Sequence, residues 1–394
     1  MEYKIDNLFV FIRNGANIKQ GEQGGYPITR IETISMGEIN RNKMGYAGIE
    51  DITKYESYVL EQDDILMSHI NSEKHLGKTA LYEKIGDEII IHGMNLLGLR
   101  AKKELIVPKY AIYLFQTLDF RIALGKIVKK SVNQASFAVT DFKKIKVNIP
   151  SLEKQRCIVQ VLDSCKSLME KRQSQITSLD ELSKSLFLEM FGDPVYNTKK
   201  WMLTKLNEIG DWKTGGTPLR SEKDYYTGDI PWLSSGELND IYTFDSQEHI
   251  TERAIKESSA KCVEEGSLLL GMYDTAALKS TINKVPCTCN QAIAFAKIDE
   301  SIVSTIYLYY FIQFSKEYLK REQRGVRQKN LNLSMIKNLI VMKPHLDLQK
   351  EFEEKVLVIL EKKELLKRAL IEVESLYKAL LQKAFIGELF QDQV

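Results

Sequence analysis

The side chains best suited to acid–base, nucleophilic or metal chemistry in this 394-residue chain are five histidines and five cysteines. His69, His75, His92, His249 and His345 are scattered, and a core or surface role accounts for each as well as a catalytic one. Cys287 and Cys289 flank Thr288, but no second Cys or His pair lies near enough to complete a tetrahedral zinc site. "HLGKTA" carries Gly77, Lys78 and Thr79 like the end of a phosphate-binding loop, yet the glycine required five residues before Gly77 is Ser72. HExxH, GxSxG and GxGxxG are absent, as is an Asn-Pro-Pro-aromatic segment of the kind that holds a flipped adenine. The expectation is no catalytic residue, no metal and no cofactor on this chain.

What the sequence offers instead is clustered cations beside amides. Residues 121–147 hold Arg121, Lys126, Lys129, Lys130, Lys143, Lys144 and Lys146 against one acid, Asp141. A second cluster, Lys316, Lys320, Arg321, Arg324, Arg327 and Lys329, leads into "KNLNLS". Cations neutralise phosphates, while amide and guanidinium groups suit base edges. A solvated helix face followed by a turn would look the same in one copy; recurrence in two favours DNA. Lys129, Lys130, Asn133, Gln134, Arg324, Arg327, Gln328 and Lys329 are therefore the first candidates for DNA contact. With a net charge of only +2, such contact must come from local patches.

The elements that position these clusters occur twice. Residues 134–191 laid on 328–385 without a gap agree at 11 of 58 positions, where chance gives roughly 6%. Gln134 falls on Gln328, Pro150 on Pro344, Gln155 on Gln349 and Phe191 on Phe385, and upstream "SMGEIN" (35–40) lies over "SSGELN" (234–239). Each unit has a mixed stretch of about 150 residues, with strand-like runs such as "DEIIIHGM" and "KKIKVNIP", followed by a long helix. The fold class is α/β (α+β).

The helix seams repeat at 3.5 residues: Ile158, Leu162, Met169, Ile176, Leu179 and Leu186 in the first, then Phe352, Val356, Ile359, Leu366, Leu370, Val373, Tyr377 and Leu380 in the second. Arg172, Ser183 and Lys363 interrupt them. Two equal rods most simply pair as an antiparallel coiled coil, relating two lobes by a pseudo-two-fold; independent helices, each packed on its own lobe, are the alternative. Ser301–Ser315 is uncharged but shorter than the roughly 20 residues of a membrane span, so it reads as buried helix or paired strands. Unframed cysteines and a polar start, "MEYKIDNLFVFIRNG", point to a reduced, cytoplasmic protein.

"WKTGGTP" (212–218), "GDIPWLSSGEL" (228–238), "GSLLLGMYDT" (266–275), "CNQAIA" (289–294), "LYKALLQKAFIGELF" (376–390) and the junction "SLFLEMFGDP" (185–194) resemble the specificity subunits of Type I restriction-modification systems over essentially the whole chain. The resemblance implies target-recognition domains at 1–150 and 192–344 and conserved helices at 151–191 and 345–394. Each domain would read half of a bipartite double-stranded DNA site, while the helices set the gap and dock two methyltransferase subunits. S-adenosylmethionine, and ATP with Mg for a joining restriction or translocase subunit, would belong to the partners. Lys213, Thr214, Thr217, Arg220, Ser234 and Ser235 are further DNA-contact candidates, whereas Trp232 reads as core packing. "GGYPITRIETISMGEIN" departs from the GDIPW form in the first lobe, which implies an asymmetric target. A protein-binding scaffold and an enzyme with an unrecognised site are the rivals.

Overall fold

The computed structural model describes residues 1–21, 23–34, 37–131, 134–273, 276–323 and 330–389. The chain divides into two compact units, Met1–Arg172 with Ala369–Val394, and Gln173–Arg368. Two helices run through this division, the first rod Leu152–Phe191 and the second rod Leu346–Ile386.

In the first unit a four-stranded antiparallel sheet has the spatial order Phe9–Asn14, Leu96–Ala101, Ile65–Ser68, Thr79–Leu81. The order recurs in the second unit as Lys213–Thr214, Ile293–Ala296, Leu268–Gly271, Ser280–Asn283, with Tyr242–Thr243 added at the edge. The central strands read as continuous apolar runs because both faces are covered: Leu268, Leu269, Leu270, Ile293, Ala294 and Ala296 are all buried. Each unit also closes its last strand against its first: Glu2–Lys4 pairs with Lys146–Asn148, and Met202–Lys205 with Ile340–Lys343.

A second crossing is shared as well. Ile230–Leu233 runs parallel to Cys287–Cys289 and antiparallel to Glu248–Ile250, while in the first unit Ile28 bridges Ile91 in parallel and Gly45 in antiparallel fashion. "DEIIIHGM" is thus not the regular strand its composition suggests. Ile91 bridges both Ile28 and Val59, Gly93 bridges Ala16, and Asn95 turns at φ 80° before the regular strand opens at Leu96. One segment serving three partners cannot keep a single ladder register.

The uncharged run at 301–315 feeds the helix Thr305–Gln323, which sends Tyr307, Leu308, Phe311 and Ile312 into the second unit's core. Pro108–Leu114 does the same in the first unit with Tyr110, Ala111 and Leu114.

The rods pair antiparallel within each unit. In the second, Asp180 forms an ion pair with Lys363, and the rings of Phe187 and Phe191 lie 5.6 and 5.3 Å from Phe352. In the first, the Lys166 ammonium sits 6.0 Å from the Tyr377 ring, and Ile158, Leu162 and Ala384 share one core. Ile158, Leu162, Ile176, Phe352 and Val356 are buried; Met169, Leu179, Leu186, Ile359, Leu366, Leu370, Val373, Tyr377 and Leu380 are half-buried. Lys363 can occupy the seam because Asp180 meets its charge, and Ser183 because its hydroxyl donates to Leu179 O at 3.0 Å.

Candidate nucleic-acid interface

In the second unit the loops after Lys213–Thr214 and Ile230–Leu233 form one bracket. Gly215 and Gly216 are required by close approach, since a Cβ would collide with the carbonyls of Cys289 and Ser259 respectively. Gly215 N–H donates to Ile293 O (3.1 Å) and Gly216 N–H to Cys289 O (2.9 Å). Trp232, 3% exposed, returns its indole N–H to Gly216 O at 3.0 Å, so the tryptophan ties the glycine pair to the neighbouring strand. The Arg220 guanidinium lies 4.5 Å from the Tyr226 ring and 4.8 Å from the Trp232 ring, and donates two 2.8 Å bonds to Glu248. That bidentate pair raises the guanidinium pKa and lowers the Glu248 carboxyl's.

The six second-lobe candidates therefore stand in different roles. Arg220 is exposed but engaged by Glu248 and two rings. Lys213 pairs with Asp211 at 2.9 Å. Thr214 pairs with Ala294 in the sheet, and Thr217 donates its hydroxyl to Gln291. Ser234 donates N–H and O–H to Glu237 at 2.8 and 2.6 Å, a capping box that shapes the turn Ser235–Glu237; Ser235 is half-buried beside it.

In the first unit Lys129–Lys130 and Ala135–Ser136 form a hairpin that extends Ile70–Asn71 into a three-stranded sheet, closed by Ser131 N–H on Gln134 O at 2.8 Å. Lys129, Lys130 and Gln134 are exposed there. Much of the surrounding cation cluster is already answered: Lys130 by Glu73 (2.7 Å), Lys143 by Asp6 (3.1 Å), Lys144 by Asp141 (3.2 Å) and Lys146 by Glu2 (2.7 Å). Arg121 donates to Leu76 O at 2.8 Å instead of facing outward. Lys129 makes no ion pair among the described residues. Asn133, Arg324, Arg327, Gln328 and Lys329 lie outside the described residues.

Two of the histidines and two of the cysteines, His69, His92, Cys287 and Cys289, are buried. His92 takes its Nε2 to Leu96 O at 3.0 Å, and burial holds both His92 and His69 down to about 4. Burial pushes the Cys287 thiol up to about 12 and raises Cys289 further, so neither is a thiolate at neutral pH. No group of three His, Cys, Asp or Glu among the described residues could hold a metal. None of the helices among the described residues is long and apolar enough to cross a membrane.

Matched sheet lobes, each carrying an amide-rich or cation-bearing loop and built on paired long helices, define an internally duplicated recognition protein. Residues 1–178 and 198–375 each match the model of the Type I restriction modification DNA specificity domain, and the chain belongs to that family as a specificity subunit with two target-recognition domains. It is 28% identical over 407 residues to a Methanocaldococcus jannaschii protein carried under the name type I restriction enzyme MjaX specificity subunit, across 98% of this chain and 92% of the relative. It is 28% identical over 215 residues to the Escherichia coli EcoR124I/EcoR124II specificity subunit, across 52% and 50%. The S subunit of the M. genitalium type I system shares its fold at a TM-score of 0.58 and 14% identity, covering 98% of this chain and 96% of that one.

Proposed function

We propose that each recognition domain reads one half of a bipartite double-stranded DNA site, while the rods set the separation of the halves and dock two DNA methyltransferase subunits. The chain does no chemistry itself. The partners bring S-adenosylmethionine and methylate adenine N6 in each half-site, and a restriction or translocase subunit brings ATP and Mg. The exposed hairpin residues Lys129, Lys130 and Gln134 serve phosphates and base edges in the first domain; Arg324, Arg327, Gln328 and Lys329 serve them in the second, as do the 213–220 and 234–235 loops. The protein works in the cytoplasm, where its DNA is.

The observation that carries this reading is the recurrence of one four-strand order in both units, each feeding a rod. Two readers on one chain make capture of the second half-site effectively intramolecular, so modest affinities multiply. The test is an electrophoretic shift on genomic DNA fragments with purified methyltransferase present. A shift that weakens steeply with salt is expected; its absence favours a protein-only scaffold.

A further inference from the structure

One buried side chain is repeated in both units and contacts the same three pieces of structure. Gln155 and Gln349, each fully buried, sit in the first turn of the first and second rods. The Gln155 Nε2 donates to Pro150 O at 3.0 Å and Leu105 O at 3.0 Å, and its Oε1 accepts the Val107 N–H at 2.8 Å. The Gln349 Nε2 donates to Pro344 O at 2.8 Å, and its Oε1 accepts the Ser304 N–H at 2.9 Å. Val107 and Ser304 immediately precede the helices Pro108–Leu114 and Thr305–Gln323, while Pro150 and Pro344 follow the last strand of each lobe.

One amide thus joins the rod's first turn, the end of the lobe's last strand and the start of the lobe's helix. Three residues past each clamped amide a buried tyrosine meets a rod ring: Tyr110 lies 4.9 Å from Phe385, and Tyr307 lies 4.7 Å from Phe191. The chemistry needs glutamine. The site holds a donor and carbonyl acceptors away from water, so an apolar residue would orphan both, a carboxylate would bury charge, and asparagine is one methylene short.

We infer that Gln155 and Gln349 are positioning residues for half-site spacing: each locks its own recognition domain onto its rod at a fixed angle. The inference rests on the spacer reading of the proposed function. The rod acts as a lever. A swing of about 5° at one end of a helix about 60 Å long moves the other by about 5 Å, more than the rise of about 3.4 Å per base pair. A hydrogen-bonded joint in each unit is therefore what separates a protein that accepts one spacing from one that accepts several.

The test uses the complex with its methyltransferase subunits, on duplexes carrying both half-sites, identified from methylated genomic positions, at the native separation and one base pair shorter or longer. Wild type discriminates between separations. Gln155→Met and Gln349→Met, matched in length and volume, shrink that ratio by about tenfold or more while the half-site sequences stay the same. Variants that keep the wild-type ratio overturn the clamp alone. A wild-type complex with no preferred separation overturns the measured spacer, and the clamp with it. If the Met variants do not fold, hydrogen exchange of the wild-type chain decides: the Val107 and Ser304 amides exchange among the slowest, and rapid exchange there contradicts the clamp.

Discussion

The two recognition domains share a sheet order but not the side chains that brace it. In the second, Trp232 sits where the parallel crossing meets Thr288, its indole tied to Gly216 and its face under Arg220. In the first, Ile28 occupies that crossing and bridges Ile91, and the residue after the bridge is the buried His92 where the second has the buried Cys289. The backbone pairing is thus reproduced by two unrelated sets of core residues, aromatic and hydrogen-bonded in one, aliphatic with a neutral imidazole in the other. Loops resting on such different supports need not present the same groups, so the two half-sites are expected to differ.

The sharpest way to break this comparison is at the crossing itself. Trp232→Ala removes a buried ring and its hydrogen bond and is expected to cost about 3–5 kcal/mol, lowering the melting of the second unit while the first keeps its own. Acid should act on the opposite unit. The folded-state pKa values of His69 and His92 lie near 4, below the unfolded value near 6.5, so the unfolded chain binds the protons first. The stability they contribute is complete above about pH 6.5 and is lost as pH falls towards 4, on the order of 3 kcal/mol per histidine. Limited proteolysis near pH 4.5 should then cut the first unit before the second, and replacing both histidines with glutamine should flatten the difference.

Smaller effects separate bracing from DNA contact. Arg220→Ala loses the ring stacking, lowers second-unit stability by about 1 kcal/mol, and changes the salt slope of DNA binding by less than Lys129→Ala does, because Glu248 already meets its charge. Lys129→Ala leaves stability alone and reduces that slope by about one. Equal slopes for all three proteins would remove Lys129 from the interface. The smallest change is expected at the rod seam, where Lys363→Leu shifts the melting by less than about 1 kcal/mol: it loses the Asp180 pair but fills a position flanked by apolar residues.

The rods and the duplication were legible in the sequence because heptad spacing is local and Pro150/Pro344, Gln155/Gln349 and Phe191/Phe385 keep register. Trp232 also lies in the core as read, on the strand Ile230–Leu233 just before the turn Ser235–Glu237. What escaped was any feature whose partner is distant. The cations at 130, 143 and 146 look free in sequence, yet their carboxylates come from Glu73, Asp6 and Glu2. Arg220, an exposed DNA-contact candidate, gives no sign in its own neighbourhood of sequence that Glu248 and two rings already engage it. The repeated glutamine was visible as an identity, but its work depends on Val107 and Ser304, which reach it only through the fold.

Methylation-sensitive sequencing of a host carrying the intact system tests the central claim most directly. Two readers braced differently on paired rods predict one bipartite motif, with two unlike half-sites at a single fixed separation. A continuous motif, two identical half-sites, or no motif dependent on this chain would contradict the account.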